Sequence, residues 1–304
     1  MKIVLLSGGG GGARFARGLD DTLEPGELTV IGNVGDDLEI LGLHVSPDLD
    51  SLLYTLAGLI DEERGWGRAG ETWQALESAG GWGGESWFRL GDLDLGLHLV
   101  RTQALREGAL LSEVTERLAR RLGLRSTILP ATDDRLRTRV ITPAGTFDFQ
   151  EWFVGRAHRD EVDAVEYAGA DEASVAPGVL EALGAAAAIL LAPSNPYLSI
   201  GPILAVQPIR QAIERRKVRC VAVSPLVGGA AVTGPAGRML LRMAGGTSPD
   251  FVAQSHKGII DALVIDESDA PAAADVDLVV TSTLMADREA EHRLAEAVLE
   301  AACA

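Results

Sequence analysis

Short apolar runs, each closed by a polar or turn-forming cluster, recur along the chain. Lys2-Ile3-Val4-Leu5-Leu6-Ser7 leads into glycines, and Leu28-Thr29-Val30-Ile31-Gly32 ends at Asn33. Four more runs lie near the other end. Residues 185–191 close with Pro193-Ser194-Asn195-Pro196, and residues 218–223 close with Ser224-Pro225. Leu263-Val264-Ile265 closes with Asp266-Glu267, and residues 276–280 close with Thr281-Ser282-Thr283. Runs this short and this continuously apolar are the pattern of strands buried on both faces. Amphipathic stretches between them predict helices over 14–21, 49–60, 203–215, 237–243, 251–259 and 288–302. The alternation predicts an α/β protein, a parallel sheet covered by helices on both faces. About six strands come from the two ends, so 1–61 and 176–304 form the expected core. Residues 62–175 read as an insertion, with helices over 95–105 and 111–122 and a hairpin across Pro143-Ala144-Gly145.

The first run feeds Gly8, Gly9, Gly10, Gly11 and Gly12, then Ala13-Arg14-Phe15. Glycines let the backbone turn and bring its N–H groups close to a ligand. The free N–H groups and dipole of the next helix favour an anion. Arg14 adds a fork of donors suited to phosphate. One glycine would suffice for a plain turn, so five favour a ligand site. Gly8, Gly10 and Ala13 formally satisfy Gly-x-Gly-x-x-Gly/Ala, but a dinucleotide site wants an acid closing the second strand. Asn33 stands there, and Asp36 and Asp37 come late. No Gly-Lys-Ser/Thr follows the loop, which argues against a Walker-type NTPase. The expected ligand carries a diphosphate and is not NAD.

Strand ends gather Ser7, Asn33, Asp36, Asp37, Ser194, Asn195, Ser224, Asp266 and Thr281. Ligands of open α/β sheets bind at those ends, so this set reads as the rim of a cleft. Leu226-Val227-Gly228-Gly229 is a second turn suited to phosphate. In Ser46-Pro47-Asp48-Leu49-Asp50, Ser46 suits an N-cap, Pro47 the first helical position and Asp48 the helix dipole. Asp50 is then the acid free for a ligand. No nucleophile stands with a base, which fits direct phosphoryl or nucleotidyl transfer. Asp36, Asp37, Asp50, Asp92 and Asp94 are candidates for an Mg²⁺ ligand or a base. Trp66, Trp73, Trp82 and Trp87 fall close together, either as a small satellite core or as cover for a flat heterocycle.

The chain has 304 residues and a net charge of −17, which argues against nucleic acid and anionic membranes as partners. A phosphorylated substrate then needs a local basic pocket. Two cysteines, Cys220 and Cys303, are too few for a metal cluster or disulfide framework. No leader or membrane-length apolar run is visible, so the expected compartment is the cytoplasm.

Several stretches together resemble one family. They are Ser7-Gly8-Gly9 with Gly11-Gly12-Ala13-Arg14-Phe15, Ser46-Pro47-Asp48-Leu49-Asp50 with Tyr54, and Gly91-Asp92-Leu93-Asp94 with His98 and Arg101-Thr102. Further along come Leu129-Pro130-Ala131-Thr132-Asp133-Asp134, Pro193-Ser194-Asn195-Pro196, Ser199-Ile200-Gly201-Pro202-Ile203, and Ser224-Pro225 with Gly234-Pro235-Ala236-Gly237. In this order they resemble the 2-phospho-L-lactate transferase (CofD) family of coenzyme F420 biosynthesis. The resemblance implies a Rossmann-like core, a homodimer and an Mg²⁺-dependent transfer. The donor would be a guanosine diphosphate-linked three-carbon acid, the acceptor the ribityl hydroxyl of the deazaflavin Fo, and GMP would leave. The loop is similar to that of the bacterial branch, which implies enolpyruvate rather than lactate. Asp50 and Arg89 match the family's Fo contacts. The first loop, Ser194, Asn195 and the turn from Ser224 to Gly228 and Gly229 match the nucleotide side. Leu93 and Leu97 depart from the family pattern by removing a polar group each. The gluconeogenesis-factor-like proteins, which bind nucleotide sugars, share the glycine-rich start. They carry Gly-Gly-Ser-Ser-Gly-Arg where this chain has Gly-Asp-Asp-Leu-Glu.

Overall fold

The computed structural model describes residues 1–303. Its strands are β1 (Ile3–Ser7), β2 (Leu28–Gly32), β3 (Leu38–Ile40), β4 (Leu43–Val45), β5 (Thr127–Pro130), β6 (Arg137–Thr142), β7 (Gly145–Asp148) and β8 (Ala164–Ala168). They continue with β9 (Ala188–Leu191), β10 (Arg219–Val223), β11 (Leu226–Val227), β12 (Ala230–Ala231), β13 (Ala262–Asp266) and β14 (Asp277–Thr281). The helices are α1 (Gly9–Thr22), α2 (Pro47–Leu56), α3 (Gln74–Gly81), α4 (Asp92–Arg106), α5 (Leu111–Arg121) and α6 (Val179–Ala185). They end with α7 (Gly201–Ala205), α8 (Gln207–Glu214), α9 (Ala236–Met243), α10 (Pro249–Ser255) and α11 (Arg288–Cys303).

Seven strands make one sheet in the order β14-β13-β10-β9-β1-β2-β5, and every neighbouring pair is parallel. All residues of β1, β9 and β13 are buried. Burial on both faces is why these runs are apolar without alternation. Counting sheet strands along the chain, the spatial order is 3-2-1-4-5-6-7, a doubly wound Rossmann-like arrangement.

The structure differs from the sequence reading in three places. β5 lies inside residues 62–175, yet it forms the edge of the main sheet beside β2. The segment expected as one insertion is therefore two excursions, one before β5 and one after it. Helix α1 starts at Gly9, so four of the five glycines are its first turn. The helix expected over 203–215 is broken into α7 and α8, because Val206 is extended (ψ 98°) and Pro208 follows two residues later.

The later excursion is a three-stranded antiparallel sheet, β7-β6-β8. It closes on its own core of Val140, Phe149, Trp152, Val162, Leu198 and Met239. In the earlier excursion Trp66, Trp82 and Trp87 are 46%, 90% and 39% exposed, so they form no satellite core. Among the described residues, no helix is long and apolar enough to cross a membrane.

Packing separates the glycines of α1. A Cβ on Gly12 would collide with Ser7 Oγ and sit 2.8 Å from Ser194 Oγ, whereas one on Gly11 would meet only the Pro193 carbonyl, at 3.4 Å. Gly12→Ala is expected to lower stability by about 1–3 kcal/mol, as overpacking does. Gly11→Ala should cost less than half as much. Urea denaturation of both variants measures the difference, and equal losses would contradict the packing argument.

Candidate active site

β1 and β9 are neighbours in the sheet, with β2 beyond one and β10 beyond the other. Their carboxyl ends mark the strand-order reversal, where a crevice opens. Gly8 is extended (φ −153°) and Gly9 takes φ +72°, so the chain turns into α1 with no side-chain cap. The first N–H groups of such a helix have no intrahelical partner and suit an anion.

The surroundings press onto this loop. A Cβ on Gly8 would lie 2.7 Å from Asp48 Oδ2, 2.8 Å from Ser199 Cβ and 3.1 Å from Asn33 Cβ. The Ser194 hydroxyl donates to the Gly8 carbonyl at 2.7 Å. Asn33 Nδ2 donates to Asp48 Oδ2 at 2.9 Å, and Asn33 Oδ1 accepts from the Gly35 amide at 2.8 Å. The structure thus brings together Gly8, Gly9, Gly10, Gly11, Gly12, Asn33 and Ser194.

Other expected nucleotide residues have local work. Asn195 Oδ1 accepts from the amides of Tyr197 and Leu198 and caps the turn Pro196–Ile200. Ser224 Oγ accepts from the Leu226 amide at 3.2 Å. Gly228 and Gly229 (φ +60° and +72°) form the tight turn between β11 and β12, where the Gly229 amide donates to Asp269. Arg14 Nε donates to Glu291 on α11 at 2.7 Å.

Four aspartates are buried beside the loop. Asp36, Asp37, Asp48 and Asp50 are each at most 7% exposed. The Ser46 hydroxyl donates to Asp37 Oδ2 at 2.9 Å, and His44 Nε2 lies 3.0 Å from the same oxygen. Ser46 therefore stands at the N-cap position but spends its hydroxyl on Asp37 rather than on the helix amides. Both Asp50 oxygens accept from the Arg101 guanidinium, NH1 at 3.0 Å, and Arg101 is fully buried. His98 stands between Asp50 (3.8 Å) and Asp94 (3.2 Å), and Tyr54 donates to Asp94.

Burial raises Asp36 well above the usual carboxylate range, with the charges of Asp48 and Asp37 adding to it. Burial raises Asp48 to about 6, against hydrogen bonds from Asn33 and the Gly9 amide and with Asp37 and Asp50 adding. One oxygen each of Asp36 and Asp37 is buried without a partner. Among the described residues, no three His, Cys, Asp or Glu are grouped as a metal cage.

Asp92 is not part of this cluster. Its carboxylate accepts from the amides of Gln74 and Ala75 and caps α3. In return Glu71 accepts from the amides of Leu93 and Asp94 and caps α4. Arg89 is exposed, and its guanidinium carbon lies 4.5 Å from the centre of the Trp73 ring. Two residues were missed as site members. Asp48 was absorbed into a capping pattern. Arg101 carried a signal, since Asp94, His98 and Arg101 share one face of α4 by their spacing.

The family model described as 2-phospho-L-lactate transferase CofD matches residues 3–300. A phosphoenolpyruvate transferase of Streptomyces griseus subsp. griseus is 43% identical, over 99% of this chain and 98% of its own. One from Mycolicibacterium smegmatis is 40% identical, over 99% of each chain. A solved UPF0052-family protein of Bacillus halodurans superposes with a TM-score of 0.68 over 98% of each chain. At 19% identity this is a likeness of fold alone.

The raised Asp48 carboxyl links stability to pH. Its folded value, about 6, exceeds the unfolded one, so its contribution is fully present below about pH 4 and is lost as pH rises through 6. Asp48→Asn is neutral at every pH. It should therefore be the more stable protein above pH 7, by up to about 3 kcal/mol, with the gap closing towards pH 4. Thermal melts of both proteins from pH 4 to 8 read this out, and a gap that does not change with pH would contradict it.

Proposed function

The chain belongs to the 2-phospho-L-lactate transferase CofD family, a family of transferases, and we propose that it moves a phosphorylated three-carbon acid from a guanosine diphosphate-linked donor to the ribityl hydroxyl of Fo, releasing GMP. The observation that carries this reading is the contact between the two halves of the crevice. Asp48, two residues before Asp50, lies against Gly8 at the start of the uncapped helix. A diphosphate on the loop amides would lie next to a hydroxyl on Asp50. Relatives named phosphoenolpyruvate transferases support enolpyruvate as the acid.

In this mechanism the glycine loop binds the donor diphosphate through backbone N–H groups, and Ser194 holds the loop by its Gly8 carbonyl. Arg101 fixes the Asp50 carboxylate in one plane by its two-point contact. That contact uses two of about four acceptor sites, which leaves Asp50 able to orient the acceptor hydroxyl. The hydroxyl oxygen bonds to the phosphorus next to the acid, the bond from that phosphorus to the GMP oxygen breaks, and the hydroxyl proton passes to Asp50. Mg²⁺ takes one or two carboxylates together with phosphate and water oxygens, and the unpartnered oxygens of Asp36 and Asp37 fit that requirement. These two would hold the ion, which when bound supplies positive charge to the diphosphate. The acceptor sites that Arg101 leaves on Asp50 are kept for the hydroxyl in this reading, so the ion falls to Asp36 and Asp37.

The test is GMP release by the purified protein with Mg²⁺, Fo and either the enolpyruvyl or the lactyl donor. Release is expected with both and faster with the enolpyruvyl donor; none with either overturns the reading. Asp50→Asn should lower turnover by roughly a hundredfold or more. It also leaves Arg101 half paired, so melting is followed alongside. A variant with near-normal turnover would exclude Asp50 as the group on the hydroxyl.

A further inference from the structure

The excursion between α2 and α3 contains a compact loop, residues 59–69. The Asp61 amide donates to the Gly67 carbonyl at 3.0 Å, the Gly65 amide to the Asp61 carbonyl at 2.8 Å and the Ala69 amide to the Leu59 carbonyl at 2.8 Å. A bridge between Ile60 and Arg68 closes its base. Its tip is Gly65-Trp66-Gly67, with both glycines at positive φ (+73° and +69°). The Gly65 carbonyl sits 3.4 Å from where a Cβ on Gly10 would be, so the tip rests against the glycine loop. Glu62 forms an ion pair with Arg17 of α1 and ties the same loop down a second time.

From this tip a ladder of rings and guanidinium groups runs towards α4. The Arg64 guanidinium carbon lies 5.4 Å from the centre of the Trp66 ring and 4.9 Å from that of Trp73, and Arg89 lies 4.5 Å from Trp73. Trp73 stands at the start of α3, which is cross-capped with the start of α4 through Asp92 and Glu71. Helix α4 carries the Asp94, His98 and Arg101 that surround Asp50. The ladder therefore runs from the glycine loop to the start of the helix whose later turns carry the residues around Asp50.

Two of its N–H donors, Arg64 Nε and Trp73 Nε1, are buried without an acceptor. Unpaired buried donors are costly and call for an explanation. Trp66 is nearly half exposed at the tip, with the Arg64 guanidinium near its ring. An exposed indole on a tightly bonded loop loses little freedom when a flat ring covers it.

We propose that Trp66 is the platform on which the flat ring of the acceptor stacks, the outermost rung of a ladder formed with Arg64, Trp73 and Arg89. The inference rests on the acceptor being a deazaflavin, as in the function proposed above. A ring carrying carbonyl groups offers acceptors of the kind the two unpaired N–H groups lack. Stacking at the tip also holds the acceptor against the loop that cradles the donor.

The experiment compares wild type, Trp66→Ala and Trp66→Phe in turnover and in direct binding. Trp66→Ala is expected to raise the KM for Fo roughly ten- to a hundredfold, the range that loss of one stacking partner produces, with the KM for the donor and the affinity for GDP unchanged. Trp66→Phe should recover most of the loss. Fo should quench the tryptophan fluorescence of the wild type, and the quench should require a higher Fo concentration in Trp66→Ala. An unchanged KM for Fo in Trp66→Ala overturns the stacking and leaves the transferase reading intact. A loss that falls on GDP affinity instead assigns the platform to the nucleobase and also overturns it. If the wild type releases no GMP, the transferase reading fails, and the quench alone decides the platform: its absence in the wild type overturns the inference.

Discussion

Four buried aspartates crowd the carboxyl end of β2 and the start of α2, and one of them, Asp50, is met by the permanently charged Arg101 in a two-point contact. Burying that much like charge is costly unless each carboxylate is paired, hydrogen-bonded or protonated. The local structure follows from meeting this demand. Asn33 and the Gly9 amide serve Asp48, Ser46 and His44 serve Asp37, and Arg101 serves Asp50. What remains unmet is one oxygen each on Asp36 and Asp37, buried without a partner.

The same demand gives the first excursion a purpose. Arg101 sits on α4, 51 residues after its partner, and α4 is braced by the exchange of caps with α3. The other wall is braced from the end of the chain. Glu291 on α11 is almost fully buried and accepts from both Arg14 and Arg17 of α1. Gly18 lets the two helices meet, since a Cβ there would collide with the Glu291 backbone. Breaking a buried pair of this kind costs about 3–5 kcal/mol, so the direction of α1 and its leading amides is firmly set.

Most of the sheet was legible in the sequence because strands buried on both faces are apolar along most of their length, as β1, β2, β9, β10 and β13 are. β5 escaped because it is a four-residue edge strand that begins with an exposed Thr127 and ends in Pro130. Within the site, the glycine loop, Asn33, Ser194 and Asp50 were legible from their places at strand and helix ends. Asp48 was not, because an acid two residues after an N-cap position fits a dipole argument whatever else it touches. Asn195, Ser224 and Gly229 are the opposite case, with local work that the sequence pattern did not show. Polar residues at strand ends also terminate strands, and here their atoms close local turns. The partnership of Arg101 with Asp50 is a tertiary fact that no local pattern encodes.

On the reading proposed above, an anionic donor would meet an acidic chain whose arginines near the loop are already engaged. Arg14 and Arg17 are committed to Glu291, and Arg101 is committed to Asp50. A carboxylate on Asp48 lies within hydrogen-bond distance of the loop itself. On that reading the attraction would come from backbone amides at the head of α1 and from positive charge that arrives with the substrate. Amides act only at close range, which requires a loop with no side chains between its backbone and the phosphate. A single glycine would make the turn; Gly8 is required besides by its approach to Asp48 and Ser199, and Gly12 by its approach to Ser7 and Ser194.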